Sequence, residues 1–125
     1  MNAKILYVED DDALSFITID QLSEAGFEVT HCANGQIALD TFEKEYFDLA
    51  VLDIMLPLVD GFTIAKKIRE KDTEMPIIFL SAKSMDEDRL KGFEIGADDF
   101  LVKPFNMEEL IFKIKVFLKR KNITI

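Results

Sequence analysis

Short apolar runs alternate along the chain with segments of helical periodicity. Five runs have the length and composition of buried strands, over residues 4–8, 27–32, 48–53, 76–80 and 100–102, the second being more mixed. Between them, apolar residues recur three and four positions apart, which is the spacing of one helix face. The pattern predicts five strands alternating with five helices. Apolar strands in that alternation favour a parallel sheet covered by helices on both faces.

The helices are expected to pack their apolar positions against this sheet. The first helix runs over residues 13–25, with Gly26 as its stop signal, and a weaker, charged helix runs from Met85 to Ile95. The expected inward positions are Leu14, Ile17 and Leu22 in the first helix, Ile37, Ala38, Leu39 and Phe42 in the second, Phe62, Ile64, Ala65 and Ile68 in the third, Leu90 and Phe93 in the fourth, and Leu110, Ile111, Ile114, Phe117 and Leu118 in the last.

Size and composition narrow the class of protein. A chain of 125 residues with 49% hydrophobic residues makes one ordinary domain with a real core. Its net charge of −9 disfavours nonspecific binding to nucleic acid or anionic membranes. The single cysteine, Cys32, cannot form an internal disulfide, and neither a membrane span nor a signal peptide is recognisable. These features predict a cytoplasmic protein.

The acidic residues are concentrated early in the chain. The first 60 residues hold 13 of the 24 acidic side chains and only two basic ones, Lys4 and Lys44. Ordinary solvent-exposed acids would explain such a bias without any function. The positions of the acids relative to the predicted strands therefore decide which of them are candidates for a functional site.

Polar residues follow four of the five predicted strands. Glu9 and Asp10 follow the first strand, Asp53 the third, Ser81 the fourth and Lys103 the fifth. Right-handed crossovers bring the C-terminal ends of parallel strands to one edge of the sheet, the carboxyl edge, where ligands bind in such folds. We expect these five side chains to converge there.

That set of side chains suits phosphoryl chemistry. Clustered carboxylates repel one another and need a cation, and a few oxygen ligands suit Mg²⁺. A metal ion and a lysine together neutralise a phosphoryl group, and a carboxylate can accept it as an acyl phosphate. A hydroxyl beside them can donate a hydrogen bond to the phosphoryl oxygens.

Four segments resemble the bacterial response-regulator receiver domains. They are VEDD (residues 8–11), LDIMLPLVDG (52–61), IIFLSA (77–82) and GADDFLVKPF (96–105), and they keep the family's order and spacing over nearly the whole chain. The resemblance implies the flavodoxin-like (βα)5 fold, a doubly wound sandwich whose five-stranded parallel sheet has the order 2-1-3-4-5. It covers residues 1–120, which leaves 121–125 as a tail or the start of a linker.

The resemblance also implies the roles of individual residues. Asp53 is then the phosphoacceptor, and Mg²⁺ is the one expected cofactor. Asp10 would bind the metal directly, Glu9 through a water, Asp53 through its carboxylate and Met55 through its backbone carbonyl. Lys103 would pair with the phosphoryl group and with Asp53.

Two further positions resemble the family's switch residues. Ser81 would move toward the phosphoryl group and Phe100 would follow it inward, while Pro104 resembles the family's cis-proline. Glu9, Ser81 and Phe100 stand where many relatives carry Asp, Thr and Tyr. Phe100 lacks a hydroxyl, so no hydrogen bond can hold its inward position.

The last third of the chain resembles receivers of the OmpR/PhoB type, which dimerise through the fourth helix, fifth strand and last helix. Plausible pairs across a two-fold interface are Arg89 with Glu109 and Asp99 with Lys113, although ordinary surface charge is the alternative. Lys113 replaces the usual arginine and loses its bidentate fork. The full set of candidate interface residues is Arg89, Glu94, Asp99, Glu109, Lys113 and Lys115.

The implied partner is a sensor histidine kinase, with no membrane contact. DNA would be bound only through an output domain outside residues 1–125, for the control of transcription; the alternative is a stand-alone receiver that acts by protein–protein contact or in a phosphorelay. Either would be a switch that catalyses only its own phosphotransfer and dephosphorylation, and so not a turnover enzyme.

Other functions fit the sequence less well. A flavodoxin-like cofactor binder needs a Gly/Ser/Thr-rich phosphate loop where residues 9–12 are all acidic. A haloacid-dehalogenase-like phosphatase would carry an acid where Met55 stands, and the complete acidic set argues against a receiver that works without phosphate. His31 and Cys32 make too thin a pair for a metal site, and we expect them to be exposed on an edge strand.

Overall fold

The structure is a computed structural model that describes residues 2–82 and 86–121, with the side chains of residues 86 and 87 left out. Met85, the first residue of the predicted fourth helix, lies outside the described residues, as do residues 122–125 of the predicted tail. The elements are β1 (Lys4–Val8), α1 (Asp12–Glu24), β2 (Glu28–Cys32), α2 (Gly35–Lys44), β3 (Leu49–Asp53), α3 (Gly61–Lys71), β4 (Ile77–Ser81), α4 (Asp86–Ile95), β5 (Asp99–Val102) and α5 (Met107–Arg120).

The five strands form one parallel sheet in the order β2-β1-β3-β4-β5. This confirms the predicted alternation and strand order. β1 lies between β2 and β3, with Val8 opposite Leu52. The chain therefore changes its winding direction beside the C-terminal ends of β1 and β3, which is where such sheets bind ligands.

Alternate strand residues face opposite layers of helices. In β1, Leu6 and Val8 join a core with α2 and α3, whereas Ile5 and Tyr7 join a core with α1 and α5. This follows from the two-residue period of a strand. The apolar strands are therefore buried on both sides.

Three helices, α1, α2 and α4, expose apolar residues that the sequence predicted to be inward. Ile17 on α1 is 54% exposed and Leu90 on α4 is 62% exposed; the prediction was also wrong for Ile37 and Phe93. In α1 the buried positions beside Leu22 are the hydroxyl residues Ser15 and Thr18. Ser15 donates its hydroxyl to the carbonyl of Asp11 at 2.5 Å, so it can be buried at little cost. Apolar residues lie on both sides of α1, and the apolar pattern alone could not choose between them.

Side-chain caps fix where the helices begin at the carboxyl edge. Asp11 accepts from the N–H of Leu14 at 3.0 Å, and Asp60 accepts from the N–H of Thr63 at 2.8 Å. These caps satisfy backbone donors that a helix leaves free at its first turn. They also anchor the two loops that follow β1 and β3. No helix in the described part of the chain has both the length and the apolar composition to cross a membrane.

Candidate functional site

Three acidic residues meet at the carboxyl edge. Glu9 follows β1 and Asp53 ends β3, so the pairing of these strands brings the two together. Both are buried, whereas Asp10 is exposed. One carboxylate oxygen from each of the three lies within 4.8 Å of the others. The predicted convergence of these acids is therefore what the fold produces.

Lys103 reaches this group from the end of β5. Its ammonium nitrogen is 2.8 Å from Asp53 Oδ2 and 2.6 Å from Glu9 Oε1. Its backbone N–H donates to the carbonyl of Ser81 at 2.6 Å, and the bond to Pro104 is cis, as the resemblance implied. The side chain is thus directed toward the acids by the β4–β5 pairing.

Two buried carboxylates face one ammonium group. Burial raises the pKa of Glu9 to about 7, because the contact with the ammonium of Lys103 offsets only part of the lost hydration and the charge of Asp53 adds to the rise. Burial lowers the pKa of Lys103, but its contacts with Asp53 and Glu9 outweigh this and the net pKa is raised. One ammonium does not balance this cluster, and further positive charge would stabilise it.

The donor set fits a hard divalent cation. Among the described residues Glu9 Oε1 has no well-oriented hydrogen-bond donor, because its short contact with Lys103 lacks that geometry. Asp10 and Asp53 supply further carboxylate oxygens. Oxygen ligands of this number and charge are those that Mg²⁺ takes, with waters in its other positions. These three residues could hold that ion.

The loop after Asp53 is packed closely around it. The N–H of Met55 lies 3.3 Å from Asp53 Oδ1, and the N–H of Gly61 donates to the carbonyl of Ile54 at 3.0 Å. A Cβ on Gly61 would lie 2.3 Å from the carbonyl oxygen of Asp53, so only glycine fits there. The side chain of Met55 is 71% exposed.

The two predicted switch residues lie on adjacent strands. Ser81 is buried at the end of β4, and Phe100 is 5% exposed in the middle of β5. The Phe100 ring packs against Phe79 and Phe93, with centroids 5.4 and 5.1 Å away. Phe100 thus occupies an inward position.

Gly92 gives the Phe100 ring its space. A Cβ at Gly92 on α4 would lie 2.3 Å from Cζ of Phe100 and 3.1 Å from Cδ2 of Phe79. Sequence reasoning missed this residue, although a glycine inside a helical segment often signals close packing. The inward ring and the position of α4 therefore depend on each other.

The candidate interface residues are already partly paired within one chain. Lys113 contacts the carboxylate of Asp99 directly and lies 3.9 Å from Glu109. The guanidinium of Arg89 lies 5.5 Å from the centre of the Phe100 ring. Glu94 and Lys115 are exposed on α4 and α5.

His31 and Cys32 do not lie as the sequence suggested. Cys32 is buried, with its thiol 3.7 Å from the hydroxyl of Thr41, and burial raises the pKa of the thiol. His31 is half-buried, and its Nε2 lies 2.9 Å from the carbonyl oxygen of Glu9. The prediction of two exposed residues was wrong, because β2 lies at the edge of the sheet but under α2 and beside the acidic loop.

A model of the response regulator receiver domain family matches residues 5–115. The chain belongs to this family. The family assignment made from the four segments is confirmed.

Named relatives of this receiver domain agree with the assignment. It is 44% identical over 117 residues to the transcriptional regulatory protein RprY of Bacteroides fragilis. The matched residues make up 94% of this chain and 50% of the relative. The chain thus spans about half the length of this curated relative.

Solved structures show the same likeness. The response regulator DrrB, a Thermotoga maritima OmpR/PhoB homologue, is 38% identical with a TM-score of 0.86, over 97% of this chain and 54% of that one. A CheY-like receiver from Methanospirillum hungatei is 31% identical with a TM-score of 0.93, over 98% of both chains. The fold prediction and the likeness to the OmpR/PhoB type are confirmed.

Proposed function

We propose that this receiver domain accepts a phosphoryl group on Asp53 from a phosphohistidine of a sensor histidine kinase, in a Mg²⁺-dependent reaction. The observation that carries the proposal is the contact of Lys103 with Asp53 at 2.8 Å beside the three clustered acids. A structural ion pair would need one carboxylate, whereas this site holds an excess of negative charge around a reactive oxygen.

The chain's own residues account for the transfer step. A carboxylate oxygen of Asp53 forms a bond to phosphorus as the phosphorus–nitrogen bond of the donor breaks, and the released imidazole keeps the electron pair. Lys103 moves its hydrogen bond from the carboxylate to a phosphoryl oxygen and balances the charge that the group brings. Attack by water on the phosphorus later releases phosphate and restores Asp53. The domain catalyses only these two steps on itself and is a signalling switch.

Mg²⁺ would neutralise negative charge on the phosphoryl oxygens as Asp53 attacks the phosphorus. Asp10 would be the exposed, direct ligand, Glu9 would act from its buried position through a water, and the Met55 carbonyl would be a further oxygen donor. Glu9 is longer than the aspartate common in relatives, and its buried carboxylate reaches the cluster from the end of β1.

The switch is proposed to run from Ser81 to α4. The phosphoryl group attracts the Ser81 hydroxyl, which alters the space beside Phe100. Because the Phe100 ring packs so closely against Gly92 that a Cβ would not fit between them, we expect a displaced ring to move α4. The face built from α4, β5 and α5 then changes its contacts.

The output proposed for this face is the control of transcription. A homodimer through α4, β5 and α5 would juxtapose two DNA-binding domains supplied by the rest of a longer protein, and the likeness to a transcriptional regulator over half its length supports this. The alternative is a stand-alone receiver that acts on another protein or in a phosphorelay. Both place the domain in the cytoplasm.

Phosphorylation is tested by intact-mass measurement after incubation with acetyl phosphate. We expect one added phosphoryl group with Mg²⁺, and none with EDTA or in Asp53→Asn. Asp20→Asn, which changes an exposed acid on α1, is the matched control and is expected to be modified like the wild type. An adduct that persists in Asp53→Asn, or its absence from the wild type with Mg²⁺, contradicts the proposal.

The proposed dimer is tested by sedimentation with and without beryllofluoride, which mimics the bound phosphoryl group. We expect a monomer–dimer equilibrium that beryllofluoride shifts toward the dimer, and a weaker shift in Glu109→Lys. A chain that stays monomeric at high concentration with beryllofluoride favours the stand-alone alternative.

A further inference from the structure

The side chain of His31 reaches the acidic loop from the neighbouring strand. In the sheet His31 lies opposite Tyr7, two residues before Glu9. Its Nε2 is 2.9 Å from the carbonyl oxygen of Glu9. A carbonyl oxygen only accepts hydrogen bonds, so Nε2 carries the hydrogen and donates it.

The backbone of Glu9 is held on both sides by β2. Its N–H donates to the carbonyl of Cys32 at 3.1 Å, and its own carbonyl accepts from His31. The imidazole is oriented in turn by the Tyr7 ring, with centroids 5.5 Å apart. The bond from the Glu9 N–H to Cys32 continues the regular backbone pairing of the sheet. The bond from His31 comes from a side chain, and the pairing of the strands would form without it.

The peptide held by His31 leads directly into Asp10. The carbonyl of Glu9 and the N–H of Asp10 belong to one planar unit, so fixing one fixes the other. Asp10 is exposed, and packing does not restrain its side chain as it restrains that of Glu9. The direction in which the Asp10 carboxylate leaves the backbone therefore depends on this peptide.

We propose that His31 is a positioning residue for the cation site, acting through the peptide between Glu9 and Asp10. This rests on the Mg²⁺ site of the proposed function. His31 contacts no cation ligand atom itself; it limits the rotation of the peptide that aims Asp10. Partners that orient metal ligands change metal affinity by about tenfold or more when they are removed.

Isothermal titration with Mg²⁺ tests the proposal directly. We expect binding about tenfold weaker in His31→Ala than in the wild type. His31→Gln places an amide N–H close to the position of Nε2 and is expected to recover most of the affinity. Thr30→Ala, a change at the preceding residue of the same strand, is the matched control and should bind as the wild type does.

A second readout separates positioning from a structural defect. At increasing Mg²⁺ concentration, modification by acetyl phosphate should reach the same rate in His31→Ala as in the wild type, with half-saturation shifted about tenfold upward. Thermal unfolding in EDTA reports whether each variant is folded. If His31→Ala is unfolded, His31→Leu, which keeps an apolar side chain without the donor, takes its place in both measurements.

The outcomes are distinct for the two proposals. Two results would overturn the role of His31 and leave the proposed function intact. The first is equal Mg²⁺ affinity in the wild type and in His31→Ala or His31→Leu. The second is that His31→Gln binds Mg²⁺ as weakly as the variant without a donor. A wild-type chain that does not bind Mg²⁺ overturns the cation site itself, and the role of His31 with it.

Discussion

Two partly buried cations lie at opposite edges of the sheet. At the amino edge, where the strands begin, the N–H donors of Arg69 each have an acceptor. At the carboxyl edge, Lys103 lies between two carboxylates. The guanidinium of Arg69 donates to the carbonyls of Gly96, Asp72 and Met75 at 2.7–3.2 Å. It also forms an ion pair with Asp98 at 3.4 Å, and that carboxylate accepts from the N–H of Ile77 at 2.8 Å.

The two clusters differ in how their charges are balanced. The amino-edge cluster has its donors and acceptors matched, which is what holds the ends of α3 and α4 to the starts of β4 and β5. The carboxyl-edge cluster has one ammonium for two buried carboxylates and an oxygen without a well-oriented donor. Matched polar groups stabilise a fold, and an unmatched group creates affinity for a ligand that supplies the missing charge.

The largest expected effect is the loss of Arg69. In Arg69→Met three backbone carbonyls lose a charged donor and Asp98 loses its cation, so we expect the free energy of unfolding to fall by about 3 kcal/mol. Urea denaturation measures it. Lys67→Met on the same helix removes an exposed cation and is expected to change stability by less than about 0.5 kcal/mol. Equal losses in the two variants would show that the bonds of Arg69 do not stabilise the domain.

At the carboxyl edge the charged form of Glu9 is expected to destabilise the fold when no metal is added. The folded pKa of about 7 lies above the ordinary 4.5, so the folded chain binds the proton more tightly than the unfolded chain. The contribution of Glu9 to stability is therefore largest below pH 4.5 and is lost as the pH rises toward 7, by up to about 3 kcal/mol.

The measurement compares wild type and Glu9→Gln by urea denaturation in EDTA from pH 4.5 to 8. The wild type should lose stability relative to the variant across this range. Glu43→Gln, an exposed glutamate on α2, should follow the wild type at every pH. Parallel curves for all three chains would contradict the raised pKa.

β5 runs between the two clusters. Gly92 on α4 packs against Phe100 in the middle of this strand. In Gly92→Ala the added methyl meets the Phe100 ring, and we expect a loss of about 1–2 kcal/mol despite the better helix propensity of alanine. Because neither polar cluster is touched, Mg²⁺ affinity should stay at the wild-type value. A variant as stable as the wild type would mean that α4 moves away from the ring without cost.

The smallest effect concerns backbone strain. At the amino edge Gly26 and Gly96 have positive φ angles of 98° and 112°, whereas in the loop after Asp53 it is Leu58 that has φ +69°. Leucine in this conformation is strained by about 1 kcal/mol. Glycine would relieve the strain but would lose more conformational entropy on folding, which cancels part of the gain. Leu58→Gly should therefore raise the free energy of unfolding by about 0.5 kcal/mol in urea, and a decrease would show that the leucine side chain stabilises the loop.

Most of the fold could be predicted from the sequence because its strands are apolar throughout. Runs such as residues 77–80 are buried on both faces, and their length and flanking loops separate them from helices. The faces of α1 and α4 could not be predicted, because both helices carry apolar residues on more than one side. Which side packs depends on the sheet beneath, and on hydroxyl groups such as that of Ser15 that the backbone satisfies.

The acids and the lysine of the candidate site were predictable, since each follows a strand whose end lies at one edge. His31 and Gly92 were not, since their contacts join residues on neighbouring elements with no characteristic spacing between them.

The sequence by itself determined the alternation of strands and helices and the residues gathered at the carboxyl edge, because strand periodicity and strand ends are local features of the chain. The resemblance of four segments to a known family added the family and, through it, the expected strand order. Only the tertiary structure decided that Lys103 lies between Glu9 and Asp53, that Lys113 pairs with Asp99 within one chain, and that His31 reaches the carbonyl of Glu9. Those contacts depend on distances across the sheet, and distance rather than spacing along the chain sets the strength of an electrostatic interaction or a hydrogen bond.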